Sequence, residues 1–358
     1  MMGGKWARLG KRLGWLLVAA LSLAVSYLFH SPGALPTPPD EAPLVRPDLA
    51  QRGRALDLLS RVGAVPLARG LAVVPLWGVP DQAFHNPAGI AGISRLSLTH
   101  NHSFRHFPLD EEVDLIDADT EVVVFPIPGG FTAAYATTLR GEHGWDYLKL
   151  ANTRWEEQGF PIERSDGFRD VLALAYSPLP LFSLGAALVT EEARQFDRQN
   201  RLVAIHQGQG METGYLLRLL GFSWGSSRLK LDFDTFDLAS RRQLGWRMVR
   251  RLSGLALTPT PWLSYSTQWG EYQTRPPQGS LLRQDEPRSS SLALTVLPGV
   301  TLYLARRGRR AHWGVGLRMG SLWVTGALGE GTMGELFPPV KGEQSNLGIY
   351  GVRLDLPW

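Results

Sequence analysis

Three histidines and one serine lie close together and are the first candidates for chemistry. They are His100, His102, Ser103 and His106. His100 and His102 would share one face of an extended strand, where their imidazoles could bridge a metal ion. A hydrolase could instead use Ser103 as its nucleophile, activated by His100 or His106. No carboxylate at a fixed spacing completes either arrangement, so we expect no metal site, no cofactor and no enzyme activity.

The composition excludes several other classes of protein. The chain has 358 residues, a hydrophobic content of 44% and no cysteine. Disorder is therefore excluded, and so are disulfides, thiolate zinc sites and cysteine nucleophiles. A mean hydropathy of −0.09 excludes a bundle of transmembrane helices.

The net charge of +4 is concentrated in the first residues. Lys5, Arg8, Lys11 and Arg12 account for all of it, because residues 1–34 hold no acidic residue. A nucleic-acid-binding protein keeps a basic face in its folded part, so we expect no nucleic-acid partner.

The chain divides into four predicted regions. Residues 1–30 combine the N-terminal cations with an apolar run, which is typical of a secretory signal peptide, and a retained anchor is the alternative. Residues 31–50 form a proline-rich linker. Residues 51–91 begin with a short amphipathic helix, and residues 92–358 follow a repeated strand pattern.

The repeated pattern consists of about nine β-forming residues, a tight turn and another such run. Proline and glycine mark the turns at 126–130, 177–180, 258–261 and 298–299. Alternation of short turns with long polar loops is typical of outer-membrane barrels. We therefore predict an all-β fold, a transmembrane antiparallel β-barrel of about 14 strands. The predicted strands are 92–101, 119–126, 130–139, 168–177, 181–190, 212–222, 227–236, 246–256, 262–272, 289–297, 300–307, 311–319, 321–328 and 346–358, and the predicted long loops are 102–118, 140–167, 191–211, 273–288 and 329–345.

Side-chain alternation predicts which face of each strand meets lipid. Apolar residues on one face are assigned to lipid, and the polar or small residues between them are assigned to the lumen. The apolar sets are Tyr350, Val352, Leu354, Leu356 and Trp358, then Leu229, Leu231 and Phe233, then Trp313, Val315, Leu317 and Met319, and then Leu263, Tyr265 and Trp269. The lumen sets are Gly351, Arg353 and Asp355, then Lys230, Asp232 and Asp234, then His312, Gly314, Gly316 and Arg318, and then Ser264, Ser266 and Gln268.

The tryptophans are expected to form girdles at the two membrane surfaces. Trp224, Trp262 and Trp358 are assigned to one rim, and Trp246 and Trp269 to the other.

One predicted strand, 246–256, does not fit the assignment of polar side chains to the lumen. Arg247, Arg250 and Arg251 cannot all face the lumen of a regular strand, so a bulge or a rim position is needed.

Two charged clusters remain. Asp110, Glu111, Glu112, Asp114, Asp117 and Asp119 could hold calcium or bridge to lipopolysaccharide, but they do not match the spacing of a calcium loop. We predict a solvated loop. Arg306, Arg307, Arg309 and Arg310 surround Gly308 and are expected to face anionic lipid head groups.

Two motifs make the chain recognisable. The alternating residues that end in the aromatic Trp358 resemble the C-terminal signal read by the barrel assembly machinery of the bacterial outer membrane. Asn86-Pro87-Ala88-Gly89, preceded by Gly63-Ala64, Gly70 and Asp81, resembles the N-terminal signature of the FadL-type superfamily. That superfamily comprises long-chain fatty-acid transporters and related PorV/PorQ-type barrels associated with secretion. The resemblance covers residues 63–101 closely and departs from the pattern at Val65 and Arg69.

The resemblance implies a function and a location. The Asn86 segment would belong to an N-terminal plug inside a fourteen-stranded barrel in the bacterial outer membrane. We expect transport of hydrophobic, fatty-acid-like molecules, with movement of the plug and passage through the lumen or a lateral opening. The expected partners are outer-membrane lipid and lipopolysaccharide, the barrel assembly machinery and an apolar ligand. The alternatives are a non-transporting docking or assembly platform for secretion, and the Ser–His hydrolase.

Overall fold

A computed structural model describes residues 63–106, 118–140, 164–196, 201–238, 241–276, 280–329 and 346–357. The predicted signal peptide, the linker and the helix that precedes residue 63 lie outside the described residues. The acidic cluster from Asp110 to Asp117 and the side chain of His106 also lie outside them.

Fourteen antiparallel strands form one closed barrel, which confirms the predicted fold class and strand number. Each strand pairs with its neighbours in sequence, and β1 pairs with β14 to close the ring. The strands are β1 (Leu96–His106), β2 (Ala118–Ile127), β3 (Phe131–Arg140), β4 (Arg164–Leu179), β5 (Phe182–Phe196), β6 (Leu202–Leu219), β7 (Phe222–Asp237), β8 (Arg242–Thr260), β9 (Leu263–Arg275), β10 (Leu282–Leu297), β11 (Val300–Arg307), β12 (Arg310–Met319), β13 (Leu322–Gly329) and β14 (Asn346–Leu356).

Tight turns join the strands at one end of the barrel, which we call the short-turn end. The turn between β6 and β7 needs glycine, because Gly221 has a φ of 80° and a Cβ there would lie 2.6 Å from the Thr258 carbonyl oxygen. The first residue of β1 and the last of β14, Leu96 and Leu356, are register partners at this same end. We call the opposite end the loop end.

The prediction that most strands have about the minimum spanning length is wrong for one side of the barrel. Strands β4 to β10 have 13 to 19 residues, more than the ~9–11 that cross a bilayer. The polar stretches predicted as loops at 191–211 and 273–288 are largely strand. Alternation with long loops also fails between β11 and β12, where residues 308–309 alone form the turn. Polar residues are tolerated in the extensions of β4 to β10, because the outer face of these extensions lies beyond the apolar outer surface of the barrel.

A belt of exposed apolar side chains surrounds the barrel on its outer face, as in membrane-spanning barrels. It includes Leu172, Leu174, Leu184, Leu188, Leu217, Trp224, Leu257, Tyr265, Trp269, Leu302, Trp313, Val315, Leu317, Tyr350 and Val352. The predicted facing is therefore confirmed for β9, β12 and the described part of β14, whereas Trp358 lies outside the described residues.

The facing predicted for β7 is wrong. Leu229, Leu231 and Phe233 are buried in the interior, whereas Lys230 and Asp232 are exposed on the outer face. Alternation shows that two faces differ, but it does not say which of them meets lipid. The apolar face of this extended strand packs inside the barrel, and its charged face lies in the strand extension toward the loop end.

Trp246 is also misassigned to the girdle. It is buried inside the barrel, stacked on Phe233 with ring centroids 4.2 Å apart, and its indole nitrogen donates to Thr235. Trp224, Trp262 and Trp269 are exposed, as predicted.

The three arginines of β8 separate without a bulge. The register between β7 and β8 is continuous, so Arg250 points inward while Arg247 and Arg251 point outward. Arg247 pairs with Asp232, and Arg251 lies 3.0 Å from Glu271. A bulge is therefore not needed, because the two outward arginines are exposed and paired with carboxylates.

Candidate functional site

Residues 63–93 lie inside the barrel and are called the plug. The plug contains one short α-helix, α1 (Ala64–Ala68), and two 3-10 helices, η1 (Pro80–Phe84) and η2 (Pro87–Gly92). The α-helix contacts β11 to β14, and η2 contacts β3 to β6, so the plug crosses the lumen. Among the described residues, no helix has the length and apolar character needed to span a bilayer.

Asn86 connects the plug to itself and to the barrel wall. Its side-chain nitrogen donates to the carbonyl oxygens of Val74, at 3.0 Å, and Tyr215, at 3.1 Å. Its Oδ1 accepts from the backbone N–H of Ala88, which caps η2, and Pro87 occupies the first turn, where no N–H is needed. Asn86 is fully buried, so each of these bonds satisfies a group that water cannot reach.

Gly89 completes the motif by allowing close packing within the plug. A Cβ at Gly89 would lie 2.7 Å from the Cγ of Gln82 and 2.8 Å from the Leu76 carbonyl oxygen. The buried Gln82 side chain itself donates to the carbonyl oxygens of Leu76 and Val73. The motif Asn86-Pro87-Ala88-Gly89 therefore folds the plug into a compact unit.

Polar side chains of the wall hold the plug from many sides of the barrel. Their partners are mostly plug carbonyl groups, which a short irregular segment leaves unpaired. The bonds are Ser183 to Ala88, Ser223 to Pro75, Arg250 to Phe84, Ser266 to Ala72 and Arg353 to Gly78, together with Val74 to Gln268, Ala64 to Asn101 and Arg69 to Ser291.

Glycines of the wall allow the plug backbone to lie directly against the strands. Gly185 and Gly214 are register partners on β5 and β6, and Gly225 and Gly254 are register partners on β7 and β8. A Cβ at Gly185 would lie 2.2 Å from the Ala88 nitrogen. Side chains at these positions would therefore push the plug away from the wall.

The interior of the barrel has an apolar side, formed by β2 to β5 and β7 to β9 with the plug residues Phe84, Ile90 and Ile93. It continues past the wall glycines toward the loop end. Its wall residues are Val122, Val124, Ala134, Ala136, Val171, Ala173, Ala175, Ala187, Val189, Leu229, Leu231, Phe233, Trp246, Met248 and Tyr272.

Buried ion pairs interrupt this interior. The Arg169 guanidinium lies 2.5 Å from Glu191, Arg250 lies 2.5 Å from Glu212, and Arg307 lies 3.0 Å from Glu286. All six side chains are at most 2% exposed. A pair of this kind is costly to break, because the remaining charge stays buried.

A cavity of about 180 Å³ lies on the opposite side, between the plug and strands β11, β13, β14 and β1. Trp323 and Arg353 place it near the short-turn end, and Arg69, Asp81 and Tyr303 also line it. Burial raises the pKa of Asp81 to about 6, and the Asn101 hydrogen bond and the Arg353 charge oppose that shift.

The structure describes the side chains of His100, His102 and Ser103 from the histidine cluster. His100 and His102 share the outer face of β1, where His102 bonds Asp119 at 2.7 Å and His100 lies 3.7 Å from Glu121. Within the described ranges, no group of three or more ligating side chains could hold a metal. Ser103 faces the interior, so it cannot pair with His100.

The arginine cluster around Gly308 is only partly as predicted. Arg306 and Arg309 are exposed, but Arg307 points inward to Glu286, so its assignment to lipid head groups is wrong. The hairpin alternates sides, and consecutive arginines therefore cannot share one surface.

Sequence reasoning identified Asn86 but missed the wall residues that receive the plug. Ser183, Arg250 and the glycine pairs are isolated in sequence and become neighbours of the plug only through barrel closure. The available signal was a glycine on each of β5 to β8 at a similar distance from the short turn.

Three solved structures show the same architecture. A Pseudomonas aeruginosa FadL homologue is 12% identical and matches over 82% of this chain and 98% of its own, with a TM-score of 0.51. The P. putida toluene transporter TodX is 10% identical, over 83% and 99%, with a TM-score of 0.52. The Ralstonia pickettii toluene transporter TbuX is 11% identical, over 82% and 98%, with a TM-score of 0.51.

These likenesses define the class of fold. This chain has the fold of the FadL-type outer-membrane barrels, as its N-terminal motif predicted. No family model and no curated protein matches the sequence.

Proposed function

We propose that this protein resides in the bacterial outer membrane and transports hydrophobic small molecules across it. The apolar belt on the outer face supports the location. The neighbours of similar fold include two toluene transporters and a FadL homologue, which supports a hydrophobic substrate. Fatty-acid-like molecules remain part of the proposal.

The apolar side of the interior is the observation that carries the proposal. Side chains such as Leu231 and Val189 lie between the wall glycines and the loop end, and the same cluster includes Phe84 and Ile90 of the plug. A water-filled porin has a polar interior, whereas this interior suits a molecule that leaves water for apolar contacts. The proposed sequence is capture near the outer loops, movement of the plug, and passage through the lumen or a lateral opening.

The location is tested by membrane fractionation with electrophoresis of boiled and unboiled samples. A folded barrel that resists detergent should migrate differently before and after heating, in the outer-membrane fraction. A soluble protein without such a shift would overturn the location.

Transport is tested by uptake of radiolabelled oleate and toluene into a deletion strain. We expect uptake to fall on deletion and to return with the wild-type gene. Gly185→Val should alter uptake, because the added side chain would collide with the plug. Gly326→Val should behave as wild type, because a Cβ added at Gly326 would meet no atom within 4 Å. Uptake that does not depend on the gene would overturn the proposal.

A docking platform is the second candidate, and the bonded plug favours it. Hydrogen bonds join the plug to β1, β5 to β10 and β14, as expected of a sealed barrel. This candidate predicts stoichiometric protein partners after mild detergent extraction. It also predicts uptake of both compounds independent of the gene.

We also propose that Tyr350, Val352, Leu354, Leu356 and Trp358 serve as the signal for the barrel assembly machinery, and that lipopolysaccharide contacts the outer face. The exposed, outward positions of Tyr350 and Val352 support the first assignment. Replacing Leu356 and Trp358 by serine should reduce the heat-dependent form in outer membranes.

A further inference from the structure

Arg69 is a buried cation in the plug without a carboxylate partner among the described residues. The residue is 9% exposed, and its side chain makes one hydrogen bond, to the Ser291 hydroxyl at 3.3 Å. Its guanidinium also lies 5.4 Å from the centre of the Tyr303 ring. A neutral hydroxyl and an aromatic face do not neutralise a buried charge. The other buried arginines described above, Arg169, Arg250 and Arg307, each pair with a carboxylate.

Burial lowers the pKa of Arg69, and the nearby Tyr303 phenol opposes that shift. A guanidinium nevertheless stays protonated at physiological pH. An anion that enters the cavity would balance this charge.

A second polar group on the same cavity is without a partner in the described part of the chain. The Thr99 hydroxyl is buried and makes no hydrogen bond there, and Tyr303 lines the same cavity. Buried polar groups are normally satisfied, so an unpaired hydroxyl beside a cation favours a ligand with acceptor oxygens.

The remaining cavity wall limits the ligand to one negative charge and a small apolar body. Val65, Val79 and Pro80 supply apolar surface beside Arg69. Asp81 is itself acidic and would repel a second negative charge, and Arg353 is already paired with Asp355 at 2.8 Å. The cavity volume of about 180 Å³ leaves room for a small aromatic monocarboxylate.

We propose that this cavity is a binding site for a small apolar monocarboxylate, whose carboxylate is held by Arg69 of the plug with the hydroxyl of Tyr303. This anion site lies near the short-turn end of the barrel. Its role as a stage in the passage of substrate rests on the proposed transport function. The bound acid would connect α1 of the plug to β11 of the wall.

The test is equilibrium dialysis of radiolabelled benzoate with the full-length protein in detergent. We expect saturable binding that Arg69→Met weakens about 10- to 100-fold, the range for a lost charge-assisted hydrogen bond. Arg251→Met is the matched control, because Arg251 is exposed and pairs outside the barrel, and it should bind as wild type. Methyl benzoate has no carboxylate, and its binding should not depend on Arg69.

Two further measurements keep the result interpretable. Both variants should retain the heat-dependent gel shift, and Tyr303→Phe, which removes only a hydroxyl, should weaken benzoate binding without loss of assembly. No benzoate binding by wild type, or equal binding by wild type and Arg69→Met, overturns the site. If Arg69→Met fails to assemble, unchanged binding by Tyr303→Phe overturns it instead.

The site and the transport function can fail separately. Gene-dependent toluene uptake without benzoate binding overturns the anion site and leaves transport standing. Arg69-dependent benzoate binding without gene-dependent uptake of any compound supports the site and overturns its place in transport.

Discussion

The Cβ that Gly214 lacks would lie 2.0 Å from the Oδ1 of Asn86. The Asn86 side chain therefore packs directly against the backbone of the barrel wall, in the space that a side chain at position 214 would fill. The same asparagine donates to the carbonyl oxygen of Tyr215, the next residue on β6. Close packing at Gly214 and the hydrogen bond to Tyr215 thus position the plug against β6. The two effects can be tested separately.

Gly214→Ala should displace the plug. A methyl group has no room beside Asn86, and overpacking of this kind costs about 1–3 kcal/mol. Hydrogen exchange of plug amides should become faster, and the free energy of unfolding in detergent should fall. Gly326→Ala is the control, since nothing lies within 4 Å of its Cβ, and equal effects of the two substitutions would contradict the role of the contact.

Asn86→Ala should loosen the plug by removing hydrogen bonds while adding no atoms. Each buried carbonyl left unpaired, at Val74 and Tyr215, should cost about 1–3 kcal/mol. Asn86→Asp keeps the acceptor for Ala88 but loses both donated bonds, so it should be nearly as unstable. Denaturant titration in detergent gives the comparison, and an Asn86→Asp protein as stable as wild type would refute this account.

Arg250→Met should be strongly destabilising. The substitution removes the guanidinium from buried Glu212 and the donor to the Phe84 carbonyl, a change worth about 3–5 kcal/mol. The double variant Arg250→Met/Glu212→Leu should recover much of the loss, because no charge is then left buried. Arg251→Met, one residue away and exposed, should change stability by less than about 1 kcal/mol. A double variant no more stable than Arg250→Met would argue against charge burial as the cause.

Asp81 should make plug stability depend on pH. Its folded pKa of about 6 lies above the ordinary value of 3.8, so the protonated form is favoured in the folded protein. This contribution is complete below about pH 4 and is lost as pH rises through about 6, a change of about 3 kcal/mol for two pKa units. Unfolding measured from pH 4.5 to 7.5 should show the loss.

Asp81→Asn removes this titration and keeps an oxygen to accept from Asn101. The variant should therefore be more stable than wild type at pH 7.5 and lose less stability as pH rises. Identical pH profiles for the two proteins would exclude Asp81 as the source.

The reversed facing of β7 can be tested directly because the chain has no cysteine. Asp232→Cys should react with a membrane-impermeant maleimide added to intact cells, since Asp232 is half exposed on the outer face. Leu231→Cys should remain unlabelled until the protein is denatured, because Leu231 is fully buried. Preferential labelling at position 231 would contradict the structure and support the facing predicted from the sequence, with Leu231 on the outer face.

The sequence by itself determined the fold class and the strand number. Turn residues such as Pro298 and Gly299, and alternation along β12 and β14, depend only on local backbone geometry and on a strand period of two. The Asn86 motif is equally local, since its cap and its proline act within η2.

Only the tertiary structure decided what those elements face. Alternation in β7 is the same whether Leu231 meets lipid or the interior, and the choice depends on how far the strand extends beyond the apolar belt. The Gly214–Asn86 contact, the Arg250–Glu212 pair and the cavity of Arg69 join residues that are distant in the chain. Such contacts exist only after the ring closes around the plug, and short-range sequence patterns carry no information about them.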